Sequence, residues 1–154
     1  MYKHILVAVD GSDTSNLALQ EAVKLAKEHH AMLRLVHVVD ESPAYMAFDD
    51  AAAIDPDTIE TVRKALRSAG ESVLSKCTAV VRKAGVEADT TKKIVETLGL
   101  RIHDAIEEEA AQWPADLIVI GTHGRRGFRR LILGSVAEGL ARVSTKPVLL
   151  IRGS

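Results

Sequence analysis

The chain has one cysteine, Cys77, so it can form no internal disulfide. Cys77 falls on a helical stretch beside Leu74, Val80 and Val81, where it reads as a small buried hydrophobe rather than a reactive thiol. Aromatic residues are 3% of the total, too few for the repeated stacking platforms of single-strand nucleic-acid binders. The formal net charge is -1, so no excess of one sign points to DNA, RNA or an anionic membrane. No apolar run approaches the ~20 residues of a membrane-spanning helix. The chain enters the apolar run His4-Ile5-Leu6-Val7 at once, without the h-region and cleavage site of a signal peptide. A cytoplasmic location is the expectation. His29-His30 and His103 have no carboxylate or cysteine partner at metal-ligand spacing, and read as structural or solvated.

What the chain does have is core. At 154 residues and 47% hydrophobic content it suits one well-cored domain over 1–154. His4 to Val9 is continuous, apolar and β-branched, the signature of a strand buried on both faces. Asp10-Gly11-Ser12 ends it, and Ser12 is placed to cap a helix running to His29-His30. Leu33 to Val39 reads as a second strand. Residues 41–56 read as a loop long enough to cover a site. A helix starts near Asp57 and runs to Gly85, with Gly70 interrupting its apolar stripe. Val86 to Glu96 is a third strand, polar enough for a sheet edge, and a third helix follows until Pro114 stops it. Leu117 to Ile120, Ser135 to Val143 and Val148 to Ile151 complete a strand, a helix and a strand. Strands alternating with helices predict a parallel sheet with helices on both faces, joined by right-handed crossovers. Such sheets bind ligands beyond the carboxyl ends of their strands, where strand order reverses.

The densest functional signal is Gly121-Thr122-His123-Gly124, followed after nine residues by Gly134-Ser135. It lies between a predicted strand and a predicted helix start. Glycine allows close backbone approach, and a helix start offers free N–H groups and partial positive charge to phosphate. The common nucleotide-hydrolase loop is excluded, because Leu133 stands where its lysine would be. The dinucleotide pattern is excluded as well, because Gly121, Gly124 and Gly127 do not have its spacing. Each residue has a plainer reading beside the functional one. Ser135-Val136-Ala137-Glu138 is also a capping box, Asp10-Gly11 is also an ordinary turn pair, and His123 could simply face solvent. Arg125, Arg126, Arg129 and Arg130 could grip phosphate or merely solvate the loop.

The glycine pattern, with Val7-Ala8-Val9-Asp10 and His37-Val38-Val39-Asp40, resembles the universal stress protein family, and its ATP-binding branch in particular. The resemblance runs from about His4 to Ile151. Leu100 and Ile102 depart from it, standing where the family often opens its third helix with Gly-x-Pro. The resemblance implies an α/β fold: one doubly wound, open, parallel five-stranded sheet, Rossmann-like and adenine nucleotide alpha hydrolase-like, in strand order 3-2-1-4-5. It also implies roles. Ala8 and Val9 would line the adenine and ribose end of a cleft, and Asp10 would face ribose hydroxyls or a phosphate-bound Mg²⁺. Val38 would read adenine through its backbone, and Ile120 would pack on the base. Gly121, His123 and Gly124 would wrap ribose and phosphates, with Arg126 beside them. Gly134, Ser135 and Val136 would hold the outer phosphates.

The ligand is then ATP or another adenine nucleotide, with AMP and cyclic AMP left open. A regulatory protein acting through nucleotide-dependent contact with an unknown protein client is the leading expectation. No catalytic base stands beside Asp10, so slow ATP hydrolysis or self-phosphorylation is the alternative, and a ligand-free interaction module is a third. Pro147 to Arg152 would be an exposed apolar edge, and pairing with a second copy would remove it, in line with the homodimer the resemblance implies.

Overall fold

Four apolar runs and one more polar segment, β3, separated by amphipathic stretches, form one parallel sheet in the order β3-β2-β1-β4-β5. A computed structural model describes residues 1–41, 55–95, 101–123 and 133–153, with the side chains of 90–95 left aside. The strands are β1 (His4–Ala8), β2 (Met32–Asp40), β3 (Ala88–Val95), β4 (Leu117–Gly121) and β5 (Val148–Ile151). The helices are α1 (Asp13–His29), α2 (Pro56–Lys83), α3 (Ile102–Gln112) and α4 (Ser135–Val143). The predicted class and strand order are both observed, with β3 and β5 at the two edges. The chain builds β1, β2 and β3 outward to one side, then crosses back to place β4 on the other side of β1. The strand order therefore reverses between β1 and β4.

Local chemistry sets the helix ends. The Ser12 hydroxyl accepts from the Ser15 N–H at 3.2 Å and caps α1. Asp55 caps α2, whose first turn holds Pro56, a residue with no N–H to leave unpaired. Gly85, at φ +73°, follows the end of α2 as its left-handed exit. The third strand begins two residues later than predicted, because Val86 still donates back to the Val81 C=O of the helix end.

Alternation along the strands sends side chains to two cores. Ile5, Val7, Leu33, Leu35, Leu117 and Val119 meet α1 and α2, through residues such as Leu19, Val23, Leu74 and Val81. Leu6, Val36, Ile118 and Ile120 meet α3 and α4 through Ile106, Ala110 and Leu140. Cys77 is 4% exposed within the first core, as its apolar neighbours in the sequence suggested. Burial, and next the charge of Asp10, raise the Cys77 thiol pKa and keep it inert.

The amino-terminal end of the sheet is held by charge. The Arg34 guanidinium forks onto Asp89 at 2.8 and 2.7 Å and donates to buried Glu109 at 2.7 Å. It also lies 4.8 Å over the Trp113 ring. One side chain of β2 thus ties β3 to α3, far from the carboxyl ends where a ligand would bind.

Candidate functional site

A cleft opens at the carboxyl ends of β1, β2 and β4, at the point where strand order reverses. The space between its walls is roughly 540 Å³, solvent at its open mouth included. Of the residues singled out in the sequence, Ala8, Val9, Asp10, Val38, Ile120, Gly121, His123 and Val136 line it. Gly134 and Ser135 stand beside it at the start of α4 but are not in its lining. Gly124 and Arg126 lie outside the described residues, as do Arg125, Arg129 and Arg130. Val36, Ile102 and Ile106 add apolar wall, and Ser15 and His37 add polar atoms; the sequence alone assigns none of the five a site role, although His37 lies in a segment that carries the resemblance and Ile102 marks a departure from it. Ile102 and Ile106 are four apart on α3 and so share one face, a spacing that could have marked them.

Asp10 turns out to serve its turn as well as the cleft. Its Oδ1 accepts from the Ser12 N–H at 2.9 Å, and its own N–H donates to Ser15 Oγ at 3.0 Å. Gly11 takes φ +81°, which a side chain would resist. The β1–α1 corner is therefore held by several bonds, with Asp10 in the lining of the cleft.

The segment after β4 is fastened from several sides. The Thr122 N–H donates to the Ile151 C=O of β5 at 2.8 Å, and its C=O accepts from the Gly134 N–H at 2.7 Å. The Thr14 hydroxyl of α1 donates to the His123 C=O. A Cβ on Gly121 would lie 2.9 Å from the Thr14 carbonyl carbon, and one on Gly134 would lie 3.0 Å from the Thr122 oxygen. These two glycines let segments of the chain approach each other, a reason distinct from ligand approach. They also change the inventory of donors. The Gly134 amide is engaged, which leaves the N–H groups of Ser135, Val136 and Ala137, ahead of the first helical bond from Glu138 to Gly134. Gly134 is the N-cap of α4, and no side chain caps it, so Ser135 does not spend its hydroxyl on a capping box.

The His123 ring is set by Thr122, whose hydroxyl meets Nδ1 at 2.9 Å. Its other nitrogen, Nε2, is buried with no hydrogen-bond partner among the described residues. Such an orphan costs roughly 1–3 kcal/mol unless something meets it. On β2, Val38 offers a second unsatisfied position. The last rung between β1 and β2 runs from the Val9 N–H to the Val36 C=O at 2.9 Å, and the paired register stops at Ala8 and Val36. Val38, two residues on, points its N–H and C=O the same way, past the end of β1. Among the described residues no group of three His, Cys, Asp or Glu side chains could hold a metal ion.

Just behind the cleft, Glu41 at the end of β2 is fully buried. It accepts from Arg67 Nε at 2.5 Å and from Arg63 Nε at 2.8 Å, both on α2. Burial alone would raise its pKa, but the bonds from Arg67 and then Arg63 outweigh that, and the net shift is downward.

The family model described as "Universal stress protein family" matches residues 1–152. Universal stress protein YxiE of Bacillus subtilis is 33% identical over 99% of this chain and 100% of its own. A solved universal stress family protein of Burkholderia pseudomallei is 35% identical, covers 97% of this chain and 96% of its own, and superposes with a TM-score of 0.76. The universal stress protein of Archaeoglobus fulgidus, solved in complex with dAMP, is 26% identical over 97% of this chain and 98% of its own, with a TM-score of 0.64. Sequence, fold and cleft agree: the chain belongs to the universal stress protein family.

Proposed function

We propose that the cleft binds an adenine nucleotide and that the protein acts in a stress response through nucleotide-dependent contact with a protein client. The observation that carries this is the pairing, at one apolar cleft, of an unpaired backbone donor and acceptor on Val38 with an orphaned His123 Nε2. Adenine presents an amino donor beside a ring-nitrogen acceptor, which one residue's C=O and N–H can meet together. Val36, Ile102, Ile106 and Ile120 supply flat apolar contact without aromatic rings. The dAMP complex of the Archaeoglobus relative supports the same ligand class.

The phosphates would extend toward Ser135 and Val136, whose amides open α4. Gly124 and Arg126 would complete that end, as the family resemblance implies. Asp10, in the cleft lining, would orient Mg²⁺ through water, since Mg²⁺ keeps several waters and needs few protein ligands. Ligand would stabilise the binding-competent state by mass action and so alter what a client meets. ATP is the proposed physiological form, the cytoplasm the proposed location. No helix among the described residues is long and apolar enough to cross a membrane.

Every residue of β5 is half-buried, and β5 lies at a sheet edge. A second copy pairing along 147–152 would cover that edge by twofold symmetry. Sedimentation as a monomer at micromolar concentration would remove this part of the reading. The ligand is tested by calorimetric titration with AMP, cyclic AMP and ATP, with and without magnesium, after mass spectrometry of small molecules released from fresh protein. Saturable heat with an adenylate is expected. No heat and no shift in melting temperature at millimolar ligand would refute it. Turnover by wild type against Asp10→Ala separates binding from hydrolysis.

A further inference from the structure

We infer that His37 is a positioning residue: it holds the Val9 C=O and so keeps the Val38 N–H open to the cleft, with Gly70 as its socket. What the open amide is used for rests on the adenine reading above; the amide's openness does not.

The parity of β2 defines the missing rung. Met32 N–H donates to the Lys3 C=O at 2.9 Å, and Val36 C=O accepts from Val9 N–H at 2.9 Å, so even-numbered residues of β2 face β1. Leu33 N–H donates to the Glu87 C=O at 3.0 Å, so odd-numbered residues face β3. Continued by one step, the ladder would join the Val38 N–H to the Val9 C=O. Among the described residues that bond is not made. His37 Nδ1 lies 2.8 Å from the Val9 oxygen instead. A carbonyl can only accept, so Nδ1 carries the proton and is the donor. The side chain of one residue has taken the acceptor that the backbone of the next would use.

The ring needs room to do this. His37 is 6% exposed and projects from the sheet face that α2 covers, on the same side as Leu35 and Val39. On α2 the nearest position is Gly70, where a Cβ would lie 2.7 Å from His37 Cδ2 and 3.1 Å from Nε2. A glycine inside a 28-residue helix costs about 1 kcal/mol against alanine. Its φ does not require glycine; the close approach of the His37 ring, with that of Val39, does.

The plainer view is that His37 merely satisfies its own buried nitrogen. The two views differ at Val38. If His37 holds the rung open, His37→Leu removes the competing donor and lets Val38 close onto Val9. His37→Asn keeps an N–H donor near the Nδ1 position and should preserve the wild-type state. The test is amide hydrogen exchange at Val38 by ¹⁵N NMR on the ligand-free protein, followed by calorimetry with AMP and with ribose 5-phosphate. We expect little protection at Val38 in wild type and in His37→Asn, and at least about tenfold more in His37→Leu. AMP should bind roughly tenfold more weakly to His37→Leu, as for one lost hydrogen bond, while ribose 5-phosphate is unchanged. Strong protection of Val38 in wild type would overturn the inference whether or not any variant folds. Equal exchange in wild type and a folded His37→Leu would do the same. If wild type ignores AMP while the exchange pattern holds, the adenine reading falls and the positioning role stands.

Discussion

Replacing Gly121 by alanine separates two explanations of the same glycine. If Gly121 exists for the ligand, Gly121→Ala should spare the empty protein and weaken only binding. The geometry says otherwise. The new Cβ would lie 2.9 Å from the Thr14 carbonyl carbon, 3.0 Å from its Cβ and 3.0 Å from its oxygen. Two of those three atoms are backbone in the first turn of α1, so no side-chain rotation relieves the contact. Either α1 or the end of β4 must move by a few tenths of an ångström. Thr14 also donates to the His123 C=O, and a Cβ on Gly153 would lie 3.0 Å from its Cγ2, so the turn has neighbours on more than one side. Overpacking of this kind costs about 1–3 kcal/mol. At roughly 2–4 °C per kcal/mol for a chain of this size, the melting temperature should fall by about 2–12 °C. The assay is calorimetric or urea unfolding of the ligand-free variant, repeated at saturating AMP. A folded Gly121→Ala protein with wild-type stability in the absence of ligand would refute the steric account.

Gly139→Ala on α4 should be at least as costly, because its Cβ would meet the His103 ring of α3 at 2.3 Å; loss of about 2–3 kcal/mol in urea unfolding is expected, with a smaller loss if His103→Ala is added. Glu41 has a folded pKa below its unfolded value, so its ion pairs contribute fully above about pH 4.3 and are lost as pH falls through the folded value. Wild type should therefore lose stability between pH 5 and 3 more steeply than Glu41→Gln, which itself costs about 3 kcal/mol at pH 7. That is the low end for a broken buried pair, because Arg63 and Arg67 are 24% and 33% exposed and can rehydrate. His123→Phe removes the orphaned Nε2 and should leave stability unchanged or raised while weakening AMP binding by roughly three- to tenfold in calorimetry.

The strands, their order and most of the cleft could be read in the sequence because they rest on local patterns. Apolar runs such as Leu117 to Ile120 announce buried strands, and the resemblance supplied the order around them. Contacts made across the chain could not be read. Arg34 meets Glu109 from 75 positions away, and Thr14 meets His123 from 109, with no periodicity to link them. The same limit explains Gly134 and Ser135. A local reading offered a capping box at Ser135 or a phosphate berth across Gly134, Ser135 and Val136. It could not show that the Gly134 amide is already taken by the Thr122 carbonyl. Gly70 was visible only as an interruption, because its cause lies on another strand.

A difference in strand length underlies the cleft itself. β1 and β2 start in register, His4 beside Met32, yet β1 has five residues and β2 nine. Four residues of β2, His37 to Asp40, therefore run on past Ala8 with β3 on one side only. Parallel ladders normally leave such an overhang to water or to another strand. Here Asp10-Gly11 turns the chain sharply into α1, and the Ser12 and Ser15 bonds fix that corner. One rung further, the ladder would bring the Gly11 N–H to the Val38 C=O, and this turn carries Gly11 away from it. The Val38 carbonyl is thus left open by the helix start that carries Asp10, while its amide faces the Val9 C=O that His37 holds. Lengthening β1 by one pairing residue before Asp10 should close the overhang, raise stability and abolish adenylate binding together. Raised stability with undiminished binding would show that the overhang is not where the ligand is read.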